Sequence, residues 1–364
     1  MRNFSGADRR RFLTTGAIAG ATMALGGSNA IAEQISDPNA FRRPLSKGDV
    51  AILKFLALAE IVETDLWEQY NELGGIQDAE ETDGSGNALY TTALKNLDGD
   101  MDQYIHDNTD DEKSHQNFIN AYLVSKGEEP VNLDRFRTLP GSQATGAELN
   151  KRRLTNLTQL TIDTSWWTRY RAKNHNPDLD PNFVFPQAIP SLFAGQFPAI
   201  PRTDADTTDS NHLQGIAYTA AFHFAAIEQG GSSLYPALAL KVTNPEVLLI
   251  LLSIGPTETS HFQTWHDKAG NVKPLTDGNL VFPDLNSPPF GGQDFQTNLI
   301  MPEPVVFLDR TLPRCSVIRP VKGFGAVAAV KGLAASGLFI GQSDAFFKAA
   351  MALASAADAA TRIC

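Results

Sequence analysis

Two Glu-x-x-His pairs, Glu112 with His115 and Glu258 with His261, are the residues of this chain best suited to chemistry. Each lies in a segment whose core positions recur at helical spacing. One stripe reads Met101, Ile105, Asn108, Glu112, His115, Ile119 and Tyr122; the other reads Val247, Leu251, Ile254, Glu258, His261 and Trp265. Residues three and four apart share a helix face, so a carboxylate and an imidazole interrupt a stripe that should bury itself. An uncompensated buried carboxylate is costly or takes up a proton, whereas a bound cation turns that cost into a bond. Two further helical segments each set one Glu among core positions. Glu60 follows Leu53 and Leu56 and precedes Trp67; Glu228 follows Ala221 and Phe224 and precedes Tyr235.

The order along the chain is therefore Glu, Glu-x-x-His, Glu, Glu-x-x-His, an internal duplication of one helix pair. Carboxylate-bridged dinuclear sites in helix bundles use this ligand pattern. Four Glu carry −4 and two divalent ions carry +4, so a filled site would be neutral in a dry core. One imidazole per ion in an oxygen-rich set suits iron or manganese better than zinc. Each His needs an acceptor for its second ring nitrogen, and Asp111 and Asp65 are the candidates. Glu63 shares a face with Glu60 and is read as a solvated or hydrogen-bonded neighbour, with ligation as the alternative. Tyr70, Tyr122 and Tyr235 are read as core packing, with redox chemistry as the alternative. His106, His175, His212 and His223 have no partner spacing and are read as satisfied by local hydrogen bonds, and His266 as a surface residue.

These residues require a mainly α fold. Ser46 is a suitable N-cap for a first helix running to about Leu73, where Gly74-Gly75 ends it. A short helix near Leu89 to Leu97 leads into the second long helix, ending near Gly127. Residues 128–209 are a long crossover, with one more helix expected over Gly146 to Lys173 and then a Pro-rich run. The third and fourth helices join near Lys241 to Pro245. Gly230-Gly231 weakens the third helix just after Glu228. Gly255-Pro256 either kinks the fourth before Glu258 or makes it start afresh at Thr257. Past Asp267 the chain is first rich in Gly, Pro and Asn, with β-like runs such as Pro304 to Leu308, and then Ala-rich and partly amphipathic over 321–360. The organisation expected is a leader at 1–32, a linker at 33–45, a helical body at 46–267 and an extension at 268–364 that packs on it.

The leader expectation rests on Arg9-Arg10-Arg11-Phe12-Leu13, a twin-arginine pattern, then a weakly apolar run and a small-x-small cleavage site at Ala30-Ile31-Ala32. Export by that route places the protein in the periplasm or outside the cell. Residues 1–32 hold four Arg and one Asp, a net of +3, so the formal charge of −11 becomes −14 without them. That balance argues against nucleic acid or an anionic membrane as partner. The longest apolar run, Val247 to Ile254, is too short to span a bilayer. Of the two cysteines, Cys315 and Cys364, an oxidising compartment favours one disulfide, with two free thiols as the alternative. No Gly-rich phosphate loop and no Gly-x-Ser-x-Gly elbow occurs.

Over residues 46–267 the arrangement resembles the ferritin-like superfamily. More narrowly it resembles the secreted ferritin-like domain family of twin-arginine-exported bacterial proteins, fungal stress-response proteins and plant desiccation-related proteins. The stretch VAILKFLALAEIVETDLWEQY is similar to that family's first helix, an apolar run into Glu with an aromatic seven later. The resemblance implies a ferritin-like four-helix bundle whose long crossover makes the second and third helices parallel. It implies two divalent ions, iron or manganese, held by Glu60, Glu112, His115, Glu228, Glu258 and His261. Glu112 and Glu228 or Glu258 are then the bridging candidates. The leading functional expectation is an exported oxidoreductase acting on H2O2 or O2 under oxidative or desiccation stress. Iron sequestration and a structural stress protein with a non-catalytic metal are the alternatives, and a homo-oligomer is compatible with the sequence.

Overall fold

Ser46 opens the first long helix as its type and position require: its hydroxyl accepts a hydrogen bond from the Asp49 N–H at 3.0 Å. That helix, α1, spans Lys47–Gly74. Asn87 caps α2, Ala88–Lys95, which leads into α3, Met101–Ser125. The computed structural model describes residues 44–171, 184–288, 302, 304–305, 308–318 and 324–363. The expected leader and nearly all of the linker lie outside these residues, as do His175, Cys364 and Val306 and Phe307 of the expected β-like run.

The crossover contains α4, Ser165–Arg171, and α5, Pro190–Ala194. The helix expected from Gly146 is not formed over 146–164. There the backbone groups find partners across the fold. Leu139 and Arg153 form a bridge, as do Leu160 and Phe197. Asp65 of α1 accepts from the Leu154 and Thr155 N–H groups, each at 2.9 Å, and Arg153 pairs with the Glu72 carboxylate. A weak local preference gives way to these tertiary bonds.

Asp209 caps α6, Ser210–Ala239. Asn244 then caps α7, Pro245–Ala269, accepting from the Glu246 N–H at 2.8 Å. Neither Gly230-Gly231 nor Gly255-Pro256 interrupts its helix. Pro256 removes one helix donor, whose acceptor would have been the carbonyl of Leu252. Leu252 is 56 % exposed, so water can take that bond, and the register of Glu258 and His261 is carried through unbroken.

Strands β1, Leu275–Asp277, and β2, Leu280–Phe282, form a small antiparallel hairpin with Leu275 opposite Phe282. Gly278, at φ 56°, supplies the left-handed residue in its turn. The chain closes with α8, Ala326–Ala335, and α9, Asp344–Asp358. The described residues are thus mainly helical, and no helix among them is long and apolar enough to cross a membrane.

α1 packs against α3 and α6 against α7, while α9 lies on α1. An aromatic layer joins the two pairs. Trp67 of α1 stacks on Trp265 of α7 at 5.3 Å and on Phe224 of α6 at 4.9 Å between ring centroids. The tail is tied down by polar bonds as well. Asp358 accepts from the first N–H groups of α8, Ala326 at 3.0 Å and Val327 at 2.9 Å, a capping role taken by a residue remote in sequence.

Candidate metal centre

One side chain from each of α1 and α6 and two from each of α3 and α7 meet in the interior. Glu60, Glu112, His115 and Glu258 offer ligand atoms all within 4.8 Å of one another, and so do Glu112, Glu228, Glu258 and His261. Glu112 and Glu258 belong to both groups. All six residues are buried, from 0 % exposed for Glu60, Glu112 and Glu258 to 9 % for His261.

The Nδ1 atoms of both imidazoles face inward. His115 Nδ1 lies 3.4 Å from Glu60, 3.2 Å from Glu112 and 3.3 Å from Glu258. His261 Nδ1 lies 3.1 Å from Glu112 and 3.4 Å from Glu228. Despite this proximity, Glu60 Oε2, Glu228 Oε2, both oxygens of Glu258 and His261 Nδ1 make no hydrogen bond of acceptable geometry. Five buried polar atoms in one place without such a bond are rare in folded proteins. Ligand atoms this close together and without such bonds fit a donor set for cations.

Outside this set, specific groups fix the carboxylates. The Tyr235 hydroxyl donates to Glu60 Oε1. The Asn108 amide donates to Oε1 of both Glu112 and Glu228, at 3.1 Å each. Trp265 Nε1 in turn donates to Asn108 Oδ1 at 2.7 Å. An indole N–H is donor only, so this bond fixes which way the amide points and aims its NH2 at the two carboxylates. Asp111 Oδ2 sits 3.1 Å from His261 Nε2 and holds that ring by its outer nitrogen.

Gly231 is part of the same construction: a Cβ there would lie 2.5 Å from Glu258 Oε2. The glycine that weakens α6 by propensity lets the Glu258 carboxylate approach.

Burial sets the charge states. It is the main cause that raises Glu60 to about 7 and pushes Glu228 up and Glu258 well above the usual carboxylate range, with neighbouring carboxylates adding to it. Burial alone would lower His115 and His261, but the surrounding Glu oxygens outweigh it and raise both. Glu112 goes the other way, its burial overcome by the two imidazoles beside it. Protons thus crowd onto a cluster whose charge asks for cations.

The remaining sequence expectations divide. Asp111 takes the supporting role expected of it, whereas Asp65 does not: its carboxylate holds the crossover backbone. Of the three tyrosines, Tyr235 touches the cluster. Tyr70 bonds His223 Nδ1 at 2.7 Å, and Tyr122 donates to Glu246 at 2.8 Å. Glu63 is half-buried, lies outside both four-residue groups and borders a cavity.

His106 and His212 bond carboxylates, Asp78 and Asp107 for the first, Asp206 and Asp277 for the second. His266 corrects the surface reading. It is 0 % exposed, and Arg171 Nε donates to its Nε2 at 3.1 Å. Trp166 and Trp167 pack against its ring, at 5.6 and 5.8 Å between centroids. The face of α7 that carries it is covered by α4. Asn108 and Gly231 were visible in the sequence as a stripe position and a weak helix point, but nothing local marked either as part of a site.

The chain matches no protein-family model, no curated protein and no solved structure. The six converging side chains therefore carry the functional reading by themselves.

Proposed function

We propose that this chain is a ferritin-like four-helix protein holding two divalent ions, iron or manganese, and that it acts as an oxidoreductase on H2O2 or O2. The observation that carries the proposal is the overlap of two buried four-residue groups through Glu112 and Glu258. In that reading Glu60 and His115 complete one position and Glu228 and His261 the other, and Glu112 and Glu258 bridge. Ligand type supports the metals: hard oxygens with one imidazole each suit iron and manganese. Such a pair, when bound, would supply two-electron redox chemistry.

The chain's own residues prepare that chemistry. The aromatic layer of Trp67, Phe224 and Trp265 keeps one flank of the cluster dry. Tyr235 holds Glu60, Asn108 holds Glu112 and Glu228, and Asp111 orients His261. With peroxide alone as substrate the balance is two H2O2 to two H2O and one O2, with no external reductant.

Elemental analysis of the purified full chain, together with oxygen evolution from H2O2, tests this. About two iron or manganese ions per chain and turnover lost in Glu112→Ala are expected. A chain that binds neither metal after reconstitution sinks the proposal; tens of iron atoms per chain would favour sequestration, and bound metal without turnover a structural role.

A further inference from the structure

Between α1, α6 and the C-terminal helices lies a cavity of about 220 Å³. Its walls are almost wholly apolar: Leu58 and Val62 from α1, Leu234 from α6, and Leu333 and Phe339 from the tail. One end reaches the cluster. Tyr235, which donates to Glu60, and Gly231, against which Glu258 packs, both border it. Glu63 borders it too, and this carboxylate makes no hydrogen bond among the described residues, although it lies within electrostatic reach of Glu60, Glu112, Glu228 and Glu258. Asp163, the other acidic residue at the cavity, is already engaged, accepting from Ser165 N–H at 2.9 Å and from the Gln187 amide at 2.8 Å. Gly230 faces open space, with no atom within 4 Å of where its Cβ would stand.

We propose that this cavity binds a medium-length hydrocarbon chain ending in a hydrogen-bond donor, with the polar end on Glu63 beside the metal positions. An apolar cavity of about 150 Å³ stays dry and takes up benzene. By proportion, 220 Å³ holds a ligand of about nine carbons. The free Glu63 carboxylate supplies the acceptor that a lone polar end needs, since an unpaired hydroxyl in such surroundings would be expelled. The cavity also gives the C-terminal extension a task, because α8 and α9 supply the wall opposite α1 and α6. This inference rests on the dimetal reading for its chemistry: it names the organic partner of the same centre.

Calorimetric titration of the metal-loaded full chain with straight-chain primary alcohols, from hexanol to dodecanol, tests it. Affinity should rise about fourfold per added methylene, reach its best near eight to ten carbons and then fall. Gly230→Leu, which grows a side chain into the cavity, should weaken the best alcohol at least tenfold while two ions remain bound. Leu333→Ala, which enlarges the cavity from the tail side, should move the optimum two or three carbons longer, and it decides the matter if Gly230→Leu does not fold. Two ions per chain with no alcohol binding, or binding without a length optimum, overturns the cavity proposal and leaves the metal reading intact. Length-selective binding by a chain that takes up no metal supports the cavity and overturns the metal reading.

Discussion

His261 and Asp111 face each other across α7 and α3, with Nε2 and Oδ2 3.1 Å apart. The duplicated helix pair would place Thr257 opposite His115 in the same way, and Thr257 instead donates its hydroxyl to the Ser253 carbonyl at 3.4 Å. Among the described residues, the outer nitrogen of His261 is held by a carboxylate and that of His115 is not. Asp111→Asn should therefore weaken one of the two metal positions by roughly 10–100-fold and spare the other. Stepwise titration with manganese, followed by paramagnetic resonance, would resolve two affinities in the variant; equal weakening of both positions counts against this asymmetry.

Glu258→Gln separates the cost of the cluster from its use. With metal present the variant should lose linkage of about 2.7 kcal/mol at a hundredfold excess over Kd, or roughly 5 °C in Tm for a domain of this size. With chelator present the order should vanish or reverse, because burial already disfavours the Glu258 charge. Paired melting curves with and without chelator check this, and a variant less stable in both would point to a packing role alone.

Gly231→Ala tests the close approach of α6 and α7. The added Cβ would meet Glu258 Oε2 at 2.5 Å, and a flexible carboxylate tip can swing away at little cost to the fold. Alanine is also the better helix former by about 1 kcal/mol. The chelated variant should melt no lower than the wild type, while its metal affinity drops at least tenfold. Unchanged metal affinity would remove Gly231 from the site.

Away from the cluster, Asp206 sets an acid limit. Burial alone would raise this carboxyl, but hydrogen bonds and charge from Arg202, with His212 adding to them, bring it down to about 2. A folded-state value below the unfolded one means that the contribution is present above the ordinary Asp range and is lost as the pH falls through 2. The Tm gap between wild type and Asp206→Asn should be level near pH 5 to 6, shrink between pH 4 and 2, and narrow at higher pH as His212, raised by Asp277 and Asp206, loses its proton. A gap independent of pH between pH 4 and 2 would show that the ionised carboxylate is not its source.

The long helices, and the Glu and His that meet between them, were legible because period and spacing are local properties. Ser46 and Gly74-Gly75 mark ends within a few residues of themselves, and two Glu-x-x-His pairs in alternation with two lone Glu are improbable by chance. What was hidden depends on parts of the chain that meet only after folding. Residues 146–164 carry enough helical pattern to mislead, yet Asp65 and the Leu139 and Phe197 segments take their backbone bonds. His266 reads as a surface residue until α4 is laid over it. Which Glu are shared is a matter of distances among four helices, which no spacing along one helix encodes. Pro256 was a real ambiguity, resolved by where its missing bond falls: on the exposed side of α7.

The cavity that Glu63 borders is walled by α8 and α9, and α9 ends at Asp358 of a 364-residue chain. Synthesis runs from the other end, and domains fold as units while they emerge. The four segments that carry the Glu and His cluster therefore leave the ribosome before their covering wall does, and the apolar lining between them faces water until α9 has followed. A nonsense mutation after the codon for Ala269 would spare all six clustered Glu and His and still leave that apolar lining uncovered.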